Sequence, residues 1–324
     1  MDGVLCVTPA ELAESTGPVT FHPEPRSFAL EELGTLQGFE RVVTLDLTRW
    51  GVDDAEAKVL AKKVDLSAIE RLQFAWNGLT VAGVRALLKK GVLPALRHLD
   101  LSFNGIGNAG TKAIVTSPAF EQLESLRLEL TETTDAGGKA VAAAGSPTLR
   151  RLNLADASLK DASLAPLFAS EAYPALEALI LRNHRMSPKL AKTLPDIWRL
   201  PPPRVLDLMG GRIDAKVLTA WKGAPFLERV EHLVLDSNPV HAAGAAALAE
   251  NEALRGLRTL SLRKCRIEDA GAEALAASEI LAGLEALDLE DEHHPVGAAG
   301  AAALAESLHL ASSIRATWAS RAGL

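Results

Sequence analysis

Leu96-Arg97-His98-Leu99-Asp100-Leu101-Ser102-Phe103-Asn104-Gly105-Ile106-Gly107-Asn108-Ala109-Gly110 is the stretch on which the fold turns. Its first part ends in alternating apolar and polar residues, the two-residue period of a β-strand. Asn104 and Ile106 follow, then Ala109-Gly110, then a helix-like run from Thr111 to Phe120. The unit closes at Leu123 and another strand begins. Leu99 is one of a series. The same leucine of an L-x-x-L-x-L pattern falls at Leu45, Leu72, Leu99, Leu126, Leu152, Leu179, Leu206, Leu233, Leu260 and Leu287, always 27 residues apart except for one step of 26. Such constancy is the mark of a solenoid, which grows by adding units rather than by enlarging one core. It overrides the prior of roughly 150 residues per domain that would otherwise divide a chain of 324 residues in two.

Strand, turn and helix within 27 residues leave one simple geometry. Strands lie side by side in a parallel sheet, and helices stack on its other side. Helices are about 10 Å wide and strands about 4.8 Å apart, so the stack is expected to curve with the strands inside. The spacing therefore predicts an α/β solenoid, a right-handed horseshoe-like arc of about ten repeats, with the sheet concave and the helices convex. The repeats are expected over residues 39–310, an N-terminal cap over 1–38 and a C-terminal cap or tail over 311–324, because an open solenoid end exposes its core.

The pattern resembles the leucine-rich-repeat family, most closely its ribonuclease-inhibitor-like class. Matching residues are Leu99, Leu101, Asn104, Ile106 and Gly110, and again Leu260, Leu262, Cys265, Ile267 and Gly271. The resemblance implies the fold and a binding role. It names no partner, since the family binds proteins of many kinds.

Units differ in instructive ways. The asparagine slot reads Trp50, Asn77, Asn104, Thr131, Ala157, His184, Gly211, Asn238, Cys265 and Glu292. A buried amide there can bond the bare backbone groups of neighbouring turns. Ala157 and Gly211 cannot, so their turns need water or another geometry. Ser163, Leu190 and Val217 replace the glycine at the helix entry, and Pro195 and Pro201-Pro202-Pro203 fall in one outer segment. Proline breaks helices, so a locally irregular convex face is expected there. At the ends, Thr8-Pro9-Ala10-Glu11 reads as a capping box opening a short helix. Val19 to Phe21 reads as a degenerate strand, Phe28 to Leu36 as a helix, and Ile314 to Trp318 as a worn strand.

Composition narrows the function. Hydrophobic residues make up 48% and aromatics 4%, so aliphatic side chains must fill the core. A net charge of −7 favours a soluble protein and argues against general affinity for nucleic acid or anionic membrane. Cys6 and Cys265 cannot form a disulfide framework, in keeping with a reducing compartment. With no signal-peptide pattern at the start and no apolar run of the ~18–20 residues a membrane span needs, a cytoplasmic location is expected.

Chemical motifs are few. Gly105 to Gly110 fits G-x-G-x-x-G between a strand and a helix, the setting of a dinucleotide site. Ile106 and Gly110 are repeat positions, however, and the Ala-Gly pair recurs in other units, so the repeat accounts for it and no cofactor is expected. Asp288 to His294 carries ligand types that suit a divalent metal, but without diagnostic spacing. The alternative is a solvated loop in which Arg263 pairs with Glu290 and Lys264 with Asp291 across neighbouring strands. Cys265 sits in the asparagine slot and reads as structural. No nucleophile–base spacing suggests an enzyme.

Candidate binding residues lie on the inner surface. Trp76, Phe103 and Leu130 hold one strand-end slot in consecutive units, beside Trp50. Aligned large apolar side chains suggest a partner site; alternatively they fold onto the turn and seal the core. Ile180, Met209 and Val234 form a second grouping, which ordinary β-propensity could also explain. The expected function is a protein–protein interaction module presenting a rigid curved surface to a folded partner. The alternatives are a regulator of a small GTPase, an enzyme inhibitor, or the recognition part of a larger effector.

Overall fold

A computed structural model describes residues 4–323. The chain forms two compact units, Met1–Leu159 with Ala172–Ala175, and Lys160–Glu171 with Leu176–Leu324. In the first, strands β1 (Val4–Cys6), β2 (Val19–Phe21), β3 (Val42–Asp46), β4 (Arg71–Gln73), β5 (His98–Asp100), β6 (Ser125–Arg127) and β7 (Arg151–Asn153) pair in chain order, all parallel. Between them run helices α1 (Pro9–Glu14), α2 (Asp54–Lys63), α3 (Val81–Leu87), α4 (Gly107–Val115) and α5 (Asp135–Ala144). In the second unit, strands β8 (Ala178–Ile180), β9 (Val205–Asp207), β10 (His232–Val234), β11 (Thr259–Ser261) and β12 (Ala286–Asp288) pair the same way. Its helices are α6 (Asp161–Phe168), α7 (Pro188–Ile197), α8 (Ala215–Ala220), α9 (His241–Ala249), α10 (Glu268–Ala276), α11 (Ala298–Glu306) and α12 (Ser312–Ala322). From α2 to α5, and from α6 to α12, successive helices pack on one another.

Sequence spacing and strand register coincide. Leu45 pairs with Leu72, Leu72 with Leu99, Leu99 with Leu126 and Leu126 with Leu152. In the second unit Leu179, Leu206, Leu233, Leu260 and Leu287 line up likewise. Because strand side chains alternate, Leu99, Leu101 and Ile106 are buried together while Asp100 between them stays half-exposed. Burying each such leucine stabilises the fold by about 1.5–3 kcal/mol. Gly110 is required by packing. A Cβ there would meet the Ile106 side chain at 2.6 Å, so the isoleucine and the helix start could not close on each other. Where Ser163, Leu190 and Val217 replace this glycine, their side chains are buried instead.

Charge also follows the repeat. Two residues before each inner leucine from Leu72 onward, glutamate and arginine alternate: Glu70, Arg97, Glu124 and Arg150 in the first unit, then Glu177, Arg204, Glu231, Arg258 and Glu285 in the second. Arg97 pairs with Glu124 at 3.3 Å, Arg204 with Glu231 at 2.8 Å and Arg258 with Glu285 at 3.4 Å. No neighbour in this row within a unit meets a like charge, which would be destabilising across adjacent strands.

The ends depart from expectation in part. Thr8 and Glu11 form the capping box of α1, and Val19–Phe21 is a strand. β1 adds a further strand that the repeat does not announce. Phe28 to Leu36 contains a short 3-10 helix, Leu30–Thr35. Ile314 to Trp318 lies in α12, not in a strand: Ile314 and Trp318 are four residues apart and are the buried face of that helix. Pro195 is held inside α7, which runs two residues beyond it, whereas Pro201–Pro203 is irregular.

Candidate functional site

The slot after each strand's second inner apolar residue carries the site. Arg49, Trp76, Phe103, Leu130 and Asp156 in the first unit, and Asn183, Gly210, Ser237 and Lys264 in the second, all have φ between 50° and 66°. The left-handed region suits glycine, and asparagine or aspartate to a lesser degree; large side chains there cost about 1–2 kcal/mol. Arg49, Asp156, Asn183, Gly210, Ser237 and Lys264 fill the slot elsewhere, so the fold does not ask for a large apolar side chain at Trp76, Phe103 or Leu130.

The two rings meet as the spacing predicts, and Leu130 holds the next position in the same slot. The Trp76 and Phe103 rings stack with centroids 3.9 Å apart and planes 10° from parallel. Trp76 and Leu130 are each 48% exposed and Phe103 is half-buried. The Arg49 guanidinium lies over the Trp76 ring, 5.2 Å from its centroid. One face of the indole is thus taken by Arg49 and the other by Phe103, which leaves ring edges outward. Stacking returns about 0.5–1.5 kcal/mol, comparable with the backbone cost of one such residue. It gives no reason for the apolar surface left in water. Sequence reasoning missed Arg49, although it occupies the slot of Trp76 one repeat earlier.

Trp50 does not belong to the strip. It is 1% exposed, its Nε1 donates to the Pro23 carbonyl at 2.9 Å, and its ring lies 5.2 Å from that of Phe28. In the asparagine slot it is a core residue under the N-terminal segment. The second grouping does not form either. Ile180 is buried, and Asp207 stands between it and Val234 in the register of β8, β9 and β10. Arg182 pairs with that carboxylate at 2.5 Å. Met209 and Val234 are half-buried. The apolar run is broken by a charge pair because Met209 occupies a different slot from Ile180 and Val234.

The groups that a pyrophosphate would need are committed to the repeat. Asn104 is buried. Its Nδ2 donates to the carbonyls of Phe74 (2.8 Å) and Leu101 (3.0 Å), and its Oδ1 accepts from Leu79 N–H at 3.0 Å. Gly107, with φ 58°, donates its N–H to Thr131 O at 2.9 Å, and Gly110 donates to Ile106 O at 3.0 Å. Asn238 works like Asn104, reaching Leu208 O and Leu235 O and accepting from Ile213 N–H. Its bonds to Leu208 and Ile213 serve the turn in which Gly211 has no side chain to offer. Burial pushes the Cys265 thiol up to about 12, which removes it as a nucleophile; its Sγ instead reaches Leu235 O at 3.1 Å.

At the acidic loop, Arg263 pairs with Glu290 at 2.6 Å as expected. Asp291 turns away from the expected pairing with Lys264 and accepts backbone N–H groups of Arg266, His293 and His294, each at 3.1 Å. Among the described residues no three His, Cys, Asp or Glu side chains gather as a metal site.

A second feature of the first unit lies at its strand starts. A hollow of about 100 Å³ is lined by Arg71, Gln73, His98, Asp100, Ser125 and Arg127. The His98 Nδ1 is buried with no hydrogen-bond partner among the described residues. Burial, and then the charge of Arg71, hold the imidazole below its usual range, so it is neutral at about pH 7. The unfolded chain takes up this proton first as pH falls through about 6.5, so His98 makes the folded state lose stability on acidification. In His98→Gln, the fall in melting temperature between about pH 7 and pH 5 should be smaller than in the parent. Equal falls would show that the imidazole is not held neutral.

No helix among the described residues is long and apolar enough to cross a membrane. A leucine-rich-repeat family model matches residues 93–115 and 255–276. No curated protein matches the sequence. Among solved structures, a chain from the crystal structure of the Rad7 and Elc1 complex in yeast is similar, with a TM-score of 0.50 and 15% identity over 93% of this chain and 77% of that one. At that identity the likeness is one of fold. Register, asparagine ladders, helix-entry glycines and the family match agree on a leucine-rich-repeat fold.

Proposed function

We propose that the protein is a protein–protein interaction module, and that a folded partner docks on the strip of Trp76, Phe103 and Leu130. One observation carries this reading: three large apolar side chains are held in consecutive left-handed positions, at a backbone cost, with two of them half in water. The repeat sets the left-handed backbone at each of these positions, and bulky apolar residues kept where glycine or asparagine would sit at less cost are a pointer to function; exposed aromatic side chains are the usual anchors of an interface. The committed backbone around Asn104 gives that turn a structural role and sets the apolar strip apart as the surface offered to a partner. A fold neighbour seen in a complex of two proteins accords with it.

The test is a capture experiment from native extract with two immobilised baits, the parent and Trp76→Ala, matched for melting temperature. The expected result is a stoichiometric protein retained by the parent and lost by the variant. A nucleotide-loaded GTPase or an inhibited enzyme in that band would specify the role. A partner retained equally by both baits would remove the strip from the interface.

A further inference from the structure

We infer that the surface recognises an acidic protein segment, one that sets an apolar side chain on the Trp76–Phe103 strip and carboxylates over Arg71 and Arg151. The inference rests on the interaction reading above and specifies its partner.

Arg71 opens β4 and Arg151 opens β7, and both are exposed. The carboxylates among them are largely taken. Asp100 is held by Arg127 at 3.3 Å and by the Ser102 N–H at 2.9 Å, and Glu124 is held by Arg97 at 3.3 Å. Arg71 and Arg151 have no ion pair among the described residues. Glu70, also exposed, precedes β4 in the alternating row and belongs to the slot before Arg71. In a chain of net charge −7, Arg71 on the wall of a hollow with an unbonded imidazole nitrogen and Arg151, the register neighbour of Ser125 on that wall, are a local inversion of sign. Such an inversion favours a partner of negative charge.

The strip has the same preference. Arg49 and Phe103 cover the faces of the Trp76 indole, so its rim is what a partner meets. Aromatic rims carry the positive end of the ring quadrupole, and the indole N–H is a donor only. An oxygen-bearing segment satisfies both. Trp76 lies three residues past the end of β4, five residues from Arg71, so the two are at most about 16 Å apart at 3.3 Å per residue of extended chain. An extended segment with its acidic and apolar residues five positions apart spans that distance, in either chain direction.

The experiment uses the full chain and a display library of twelve-residue peptides. The library has a Glu pair placed four to six positions from a Leu or Phe, in both orders, mixed with sets carrying Lys for Glu or Ala for the apolar residue. The parent should enrich the Glu-plus-apolar set by about tenfold or more over the Lys set, a gap typical of opposed charge signs at an interface, and the gap should shrink with added salt. Arg71→Glu with Arg151→Glu should favour the Lys set while keeping the apolar preference. Arg71→Gln with Arg151→Gln, the gentler pair, should abolish the charge preference. Trp76→Ala should lose the apolar preference and keep the acidic one. Enrichment of apolar peptides with no regard to charge would overturn the acidic partner and leave the interaction strip standing. No enrichment, enrichment of the Lys set, or binding of a single-stranded oligonucleotide through the same arginines in place of peptide would also overturn it.

Discussion

Trp76→Ala is expected to weaken partner binding by about 2 kcal/mol or more, roughly thirtyfold, with almost no change in melting temperature. Hot-spot aromatic residues lose this much because their removal uncovers the surrounding contacts to water. The small effect on stability follows from the free structure. Trp76 is 48% exposed, so little apolar burial is lost. The lost ring stack, about 0.5–1.5 kcal/mol, is offset in Trp76→Gly, because glycine adopts the left-handed slot freely. The two variants should therefore bind equally poorly, with the glycine form at least as stable as the alanine form. If the strip only sealed the core, the pattern would reverse: both variants would melt earlier and bind normally. Measuring affinity and melting temperature on the same samples separates the cases.

Asn104→Ala should show the opposite signature. It should cost about 3 kcal/mol of stability, and the fraction that remains folded should still bind. The side chain answers three backbone groups, Phe74 O, Leu101 O and Leu79 N–H, and alanine removes that partner from Leu101 O and Leu79 N–H while Phe74 O keeps only the Asn77 amide at 3.0 Å. Each such group costs about 1–3 kcal/mol, part of which relaxation recovers. Asn104→Asp should not rescue: a carboxylate can still accept from Leu79 but cannot donate to two carbonyls. A loss under about 1 kcal/mol in urea unfolding would mean that water replaces the amide without penalty. Neighbouring repeats share these bonds, so the damage should spread to the unit carrying Phe74 as well as the one carrying Leu101.

Much of this was legible in the amino-acid sequence because the repeat converts spacing into adjacency. Positions 27 residues apart, such as Trp76 and Phe103, occupy the same slot on neighbouring strands, and their rings stack. The same rule gave the pairing of Leu99 with Leu126 and of Arg263 with Glu290. It also aligns Arg49 with Trp76 and gives the alternating Glu70, Arg97, Glu124 row. Burial was less legible. Trp50 looked like a neighbour of the strip, yet it is enclosed by segments with no repeat of their own, which supply Pro23 and Phe28.

The sequence by itself determined the unit, its count of strands from β3 to β12, and the register, since a hydrophobic period with a fixed spacing allows only one alignment of buried faces. It also determined the role of Asn104, because a turn repeated at constant length leaves the same backbone groups bare each time. Tertiary structure alone decided three things. It placed the strip residues in left-handed backbone, a conformation that side-chain type did not announce and that Trp76 and Phe103 intrinsically resist. It buried Ile180 and set the Arg182–Asp207 pair across the second apolar grouping. It made the terminal Ile314 to Trp318 segment helical. The physical reason is common to all three. Periodicity fixes which residues are neighbours along the sheet, whereas exposure depends on what packs over them, and non-repeating side chains and chain ends follow no period.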